Sequence, residues 1–345
     1  MTRQLLLGSL VAATVMMMLA YPEAEQNGVS ARSASTAKPY VPPKTPWGDP
    51  DIQGGYSNKD EAGVPLERPG NMAGRQLTDI DDSELADIVR ERQQRAAARV
   101  NAPYVPLFPG DTGGGPEHWY ENYGAKNSRA WMVVDPPEGT LPPQTPEAIK
   151  RQGRGGRGGG RVGDGIPGVG RADSYTDRSF YDRCITRGLP GSFMPTIYGN
   201  AYDITQAPGL VAIRYEMIHE TRIIPLDNHS RTGHASHMGD ARGHWEGDTL
   251  VVETTNFDPR TVYRNASPQA KVIERFKPTG PRIIEWSMTV DDPTTWTRPW
   301  TFAMRLTADP EQQLFEYACH EGNYAMRNLL SAARAEERAA GASAK

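Results

Sequence analysis

From residue 196 onward the hydrophobic positions alternate in short runs separated by turn residues. Residues 209–217 place Val211, Ile213, Tyr215 and Met217 on one face and Arg214 and Glu216 on the other, the two-residue period of a half-buried strand. Residues 221–226 continue in the same pattern. Residues 243–245 and 249–257 flank the turn Glu246-Gly247-Asp248. Residues 271–277 and 281–290 flank Pro278-Thr279-Gly280, and 300–307 and 312–319 flank Ala308-Asp309-Pro310-Glu311. About eight short strands with local connections predict a mainly β fold, an antiparallel barrel or strongly bent, lipocalin-like sheet over residues 196–324.

The N-terminal half has a different pattern. Residues 1–20 carry Arg3 followed by an apolar run from Leu5 to Ala20, broken only by Gly8, Ser9 and Thr14. That is the form of a secretory signal peptide, too short for the roughly 20 residues of a membrane span. Residues 21–50 read as a disordered, Pro-rich linker that becomes an extended arm, with Trp47 docking it to the body. Residues 51–195 read as an extended and helical wrapping region. Within it, Asp81-Asp82-Ser83 precedes a run with Leu85, Ile88 and Val89 at helical spacing, acids first and bases later, which predicts a helix. Thr145-Pro146-Glu147 opens a second, with Thr as cap and Pro in the first turn. Residues 151–170 form a Gly/Arg-rich loop, with ten glycines between Gly153 and Gly170. Residues 325–345 close the chain as a helix and tail, with Leu329, Leu330 and Ala333 turned to the body.

Composition narrows the class. Of 345 residues, 35 are Gly and 29 Pro, and hydrophobic residues make up 37%, which excludes a coiled coil or helical bundle. The formal net charge is −4, unlike a general nucleic-acid binder. The Arg-Gly tract resembles an RNA-binding box but lacks the aromatics that stack on bases. The expected partner is a small organic molecule, with no nucleic acid, no stable membrane insertion after leader cleavage, and no cofactor. The only cysteines, Cys184 and Cys319, suggest a disulfide in an exported chain, the alternative being two buried thiols.

Almost every predicted strand carries an ionisable residue near its middle: Arg214, Glu216, Arg222, Glu253, Glu274, Arg275, Glu285, Arg305 and Glu316. These form either a solvated outer face or the wall of a partly polar barrel interior. Glu253 alternates with Val251 and Phe257, which places it on an apolar face, where a carboxylate has a raised pKa. His219 follows an alternating strand and is flanked by Glu216, Glu220 and Arg222, an acid–base setting. Asp240, Arg242, His244 and Glu246 alternate strictly, as a solvated edge or a site wall. His320 and Glu321 follow Cys319 directly. His229, His234 and His237 have a metal-like look but lack a specific zinc spacing, so no metal is expected. There is no nucleophile elbow, P-loop, dinucleotide fingerprint, haem motif or iron–sulfur spacing.

Several longer motifs carry a resemblance. Val64-Pro65-Leu66-Glu67-Arg68-Pro69, VDPPEGTLPPQTPEA (134–148), RCITRGLP (183–190), EMIHETRIIPLD (216–227), GDARGHWEGDTLVVETTNF (239–257), VDDPTTWTRPW (290–300) and EYACHEGNY (316–324) resemble a family of exported, largely uncharacterised bacterial proteins. The resemblance covers most of residues 45–340. It implies a shared fold and a shared polar constellation, and no settled activity. The chain departs from it in the Arg-Gly insertion at 151–163, and in having Ala266-Ser267 where many relatives have His-Ser.

Two functions are carried forward. The first is an exported, periplasmic or secreted enzyme acting on a small, partly apolar organic molecule by acid–base chemistry, as a lyase, isomerase or hydrolase in a barrel pocket. His219 is its base, Glu216 or Glu253 orients or protonates, and Arg222 holds an anion. Tyr215, Asp240, Arg242, His244, His320 and Glu321 are its binding candidates. The second is a non-catalytic periplasmic binding protein for a hydrophobic small molecule. Burial discriminates them: the enzyme needs at least two of Glu216, His219, Arg222 and Glu253 in one closed pocket.

Overall fold

A computed structural model describes residues 40–101, 124–154, 173–226, 231, 233–260, 266–311 and 313–343. The predicted leader and the Gly/Arg tract from residue 155 to 170 lie outside these residues. The described strands are β1 (Gly54–Ser57), β2 (Val133–Asp135), β3 (Ala201–Ala207), β4 (Leu210–Tyr215), β5 (Thr221–Pro225), β6 (Asp240–Glu246), β7 (Thr249–Thr255), β8 (Lys271–Gly280), β9 (Ile283–Asp291) and β10 (Trp300–Ala308). They form one antiparallel sheet in the order β5-β4-β3-β1-β10-β9-β8-β7-β6, and β2 pairs separately with β10. The fold is mainly β and barrel-like, as the alternation predicts.

The ladders follow from local sequence. In β9, Ile284, Trp286, Met288 and Val290 are buried, and the residues between them are half-exposed. Two-residue connections join β3 to β4 at Pro208-Gly209 and β6 to β7 at Gly247-Asp248. Gly209 and Gly247 have φ of +73° and +59°, the left-handed geometry that tight hairpins demand.

The barrel is nearly closed. The edge strands β5 and β6 pack side by side without a ladder, and Gly243 on β6 sits under β5. A Cβ at Gly243 would lie 2.7 Å from Leu226 Cδ2 and 3.0 Å from Ile224 Cγ2. The bare backbone at Gly243 therefore lets the two edges meet through side chains.

The interior is filled. Phe193, in a short 3-10 turn (Gly191–Phe193), enters between the strands. Its ring stacks on Trp286 at 4.9 Å and meets Tyr202, Tyr215 and Phe276 at 5.0, 5.1 and 5.8 Å. A void beside Leu189, Phe257, Ala266 and Val272 is about 10 Å³, about the size of one water probe. A lipocalin-like shape is present, but its centre is occupied by aromatic side chains.

The remaining elements pack on this barrel. Helix α1 (Asp82–Asn101) lays Leu85 and Ile88 on a small cluster of Ile80, Ala130 and Trp131. Helix α2 (Pro146–Arg154) is capped as expected, the Thr145 hydroxyl accepting from Ala148 N at 3.1 Å. Helix α3 (Ala325–Ser343) leaves Leu329, Leu330 and Ala333 only half-buried. Among the described residues no helix is long and apolar enough to cross a membrane.

Four local expectations are corrected. Residues 313–318 are irregular, and the place predicted for that strand beside β10 is taken by β1, with Tyr56 opposite Ala308. The wrapping region 51–195 thus contributes two strands to the sheet, and Lys38–Lys345 form one compact unit. Strand β4 stops at Tyr215, and Met217–His219 form a 3-10 turn instead of its end. Trp47 does not dock the arm: its indole N–H donates to Asp49 within the arm. Gln206 does so, accepting from Ile52 N at 2.8 Å and donating to Pro50 O at 3.0 Å.

Candidate functional site

Two strand charges lie inside the barrel. Arg222 shares the inward face of β5 with Ile224, and Glu274 shares that of β8 with Val272 and Phe276. The Arg222 guanidinium meets the Glu274 carboxylate at 2.6 Å, with side chains 2% and 0% exposed. Arg222 Nη2 donates to the Thr254 hydroxyl at 2.6 Å, and Trp286 Nε1 donates to Glu274 at 3.2 Å. The Tyr215 phenol lies beside the guanidinium, and burial holds its pKa far above the ordinary value. Arg222 and Tyr215 are thus brought together, and their partner is Glu274. The same alternation argument that singled out Glu253 applies to Glu274 and points to it correctly.

Glu253 is placed on the opposite face. Leu250, Val252 and Thr254 turn inward, and Glu253 turns outward to Arg231 at 2.6 Å. The expectation failed because Asn256 adopts φ of +56°, which breaks the period between Glu253 and the buried Phe257. The Glu216 carboxylate accepts from Ala201 N at 3.2 Å and fastens the start of β3. His219 is exposed, and its Nδ1 lies 2.9 Å from the Tyr317 carbonyl oxygen. A carbonyl only accepts, so Nδ1 carries a proton, and in the neutral ring Nε2 is the nitrogen with the lone pair. Glu216, His219, Arg222 and Glu253 therefore do not share a closed pocket.

The polar stripe on β6 faces outward. Arg242 pairs with Asp240 at 2.6 Å, and Glu246 bridges His244 and Arg275 at 3.3 and 2.7 Å. Glu321 is exposed, and His320 borders an open cleft of about 420 Å³ beside Cys184. His229 lies outside the described residues, His234 is exposed, and His237 rests on Phe180 with Asp258 3.7 Å away. Among the described residues no three His, Cys, Asp or Glu side chains converge as a metal site.

A further group of polar side chains lies at one rim of the barrel. The Cys184–Cys319 disulfide, Cα to Cα 5.7 Å, brings residues 181–187 beside 317–320. Three phenols meet there, Tyr181, Tyr198 and Tyr317, sharing hydrogen bonds. Burial, then those bonds, pushes the Tyr317 phenol far up, and burial raises Tyr181 as well. The Arg187 guanidinium stands over the Tyr181 ring at 5.5 Å from its centre. Next to Arg187, the Thr186 hydroxyl donates to Glu220 at 2.7 Å. Burial raises the Glu220 carboxyl pKa, against the opposing pull of Thr186 and Arg222. His219 is joined to this group through the Tyr317 carbonyl.

The backbone at this rim is strained. Cys184, Ile218 and His219 have φ of +55°, +60° and +47°. For a β-branched residue such as Ile218 that conformation is a genuine outlier, and such outliers cost on the order of 1–3 kcal/mol and gather at functional sites. None of the three tyrosines was predicted. The available signal was their position: Tyr181 and Tyr317 lie three and two residues from the paired cysteines, so the disulfide alone makes them neighbours.

No family model, curated protein or solved structure among those compared with the chain matches it.

Proposed function

We propose that this protein is an exported, periplasmic or secreted enzyme that moves protons on a small, partly apolar organic molecule at the phenol-lined rim. The carrying observation is the grouping of three hydrogen-bonded phenols with a carboxyl of raised pKa and a buried guanidinium. Phenol donors stabilise an oxyanion that develops on a carbonyl. A carboxyl with a raised pKa takes up and returns protons near neutrality more readily than an ordinary one. In this reading His219 Nε2 or Glu220 removes a proton next to a carbonyl, and Tyr181, Tyr198 and Tyr317 hold the enolate oxygen. Arg187 adds positive charge. The reaction class is isomerase or lyase. The disulfide and the leader-like residues 1–20 support export, and the motif resemblance to exported bacterial proteins agrees with it.

The test starts from the exported protein. Native mass spectrometry identifies any retained organic molecule, and that compound, with a panel of small ketones and esters, is incubated in heavy water. Proton NMR follows exchange next to the carbonyl. Catalysed exchange that falls at least tenfold in both Tyr317→Phe and Glu220→Gln supports the reading. Exchange unaffected by both substitutions refutes it.

A second reading, a non-catalytic binding protein, is favoured by one observation: the acid–base groups chosen from sequence point to separate faces. A retained ligand that is bound and never altered would favour it.

A further inference from the structure

We infer that the cleft on the outer side of the disulfide is a binding site for small planar aryl carboxylates. The cleft is lined by Tyr175, Arg183, Ile185, His320, Asn323 and Met326, together with Asp182 and Cys184. Its volume of about 420 Å³ falls in the range of small-molecule pockets. It shares no lining residue with the phenol cluster and does not depend on the proposed proton transfer.

Arg183 brings a positive charge into the cleft. The Arg183 guanidinium lies over the rings of Tyr175 and Phe180, at 5.2 and 5.1 Å from their centres. Arg183 has no carboxylate partner among the described residues. Its neighbour Asp182 is already engaged, accepting from Ser179 N at 3.3 Å with Arg178 3.7 Å away. A guanidinium carries paired N–H groups in a planar fork, the geometry that grips a carboxylate through two parallel hydrogen bonds. His320 also lines the cleft.

Tyr175, Ile185 and Met326 make up the apolar part of the lining. Ile185 is 37% and Tyr175 56% exposed, and with Met326 they offer a flat surface to a ring. Asn323 is a fixed wall: its amide donates to Cys319 O at 2.8 Å, and its side-chain oxygen accepts from Ala325 N at 2.9 Å. The first turn of α3 therefore borders the cleft through Met326. One planar cation fork beside an apolar shelf selects an anion with an aromatic body over either feature alone.

The probe is 2-naphthoate, titrated into the full exported protein with its disulfide intact and followed by calorimetry. Its uncharged isostere 2-naphthamide and the ring-less acetate are the controls. The expected result is saturable one-to-one binding of 2-naphthoate, at least tenfold tighter than either control. Arg183→Gln should remove that preference and leave the weak amide binding unchanged. Ile185→Asp changes an exposed residue, and its added carboxylate should repel the probe at least tenfold without affecting the fold. Absence of saturable naphthoate binding, or equal binding of naphthoate and naphthamide, overturns the inference. So does binding that survives both substitutions. The readout is affinity, so failure of the proton-transfer reading leaves this result unaffected.

Discussion

Arg222 and Glu274 meet at 2.6 Å in the interior of the barrel, although one lies on the edge strand β5 and the other on β8, the third strand from the opposite edge. The pair crosses the interior next to the seam that β5 and β6 leave without a ladder. Its hydrogen bonds to Thr254 and Trp286 tie β5, β7, β8 and β9 together. Desolvating two charges offsets much of their attraction, so the pair acts mainly as a register device for closing the sheet.

That role sets the response to substitution. Glu274→Gln or Arg222→Met leaves one charge buried without its counter-ion, and each should destabilise by about 3–5 kcal/mol. The double replacement Arg222→Met/Glu274→Leu should cost clearly less than the sum. Urea unfolding followed by tryptophan fluorescence checks this, since Trp286 contacts the pair.

Asp292 should govern acid stability. It is 2% exposed and accepts from Ser267 N at 2.5 Å, Ser267 Oγ at 3.0 Å, Thr294 Oγ1 at 2.8 Å and Thr295 Oγ1 at 2.6 Å. Burial pushes its carboxyl up, and the hydrogen bonds outweigh burial, so the net pKa lies below the ordinary 3.8. A carboxyl lowered in the folded state adds stability that is fully present above 3.8 and is lost as pH falls through the folded value. Asp292→Asn should cost about 2–4 kcal/mol at pH 7, as expected for several bonds to a charged acceptor. Urea midpoints of the native protein and the variant should converge as the pH falls from 3.8 through the folded value.

The disulfide should carry a large share of the stability at the rim. It closes a loop of 135 residues, for which lost chain entropy in the unfolded state is worth about 5 kcal/mol. Reduction by dithiothreitol, or Cys184→Ser/Cys319→Ser, should lower the unfolding midpoint. It should also raise amide exchange at 313–324 before exchange rises in β8 and β9. Equal protection at 313–324 with and without the bond would contradict this.

Phe193→Ala should empty the centre of the barrel. Removing a ring that contacts four others costs about 3–5 kcal/mol. The cavity left behind is lined by Tyr202, Tyr215, Phe276 and Trp286, and apolar cavities of this kind take up small aromatic molecules. Added benzene should raise the melting temperature of the variant and leave that of the native protein unchanged.

The elements whose signal is local were legible in the sequence. The alternation of Ile284, Trp286, Met288 and Val290, the helical spacing of Leu85 and Ile88, and the Thr145 cap depend on neighbours within a few residues. The Cys184–Cys319 pair was legible because no other cysteine competes. Strand β1 was not: Gly-Gly-Tyr-Ser has almost no period, and it forms a strand only because β3 and β10 supply partners on both sides. Which charges turn inward was decided by the phase of each strand, and one left-handed residue, Asn256, reversed the reading for Glu253. The cysteine pair also makes Tyr181 and Tyr317 neighbours from sequence alone. That Tyr198 joins them, and that Arg183, Ile185 and Met326 line one cleft, is set by strand order and chain closure, which no local pattern of side chains encodes.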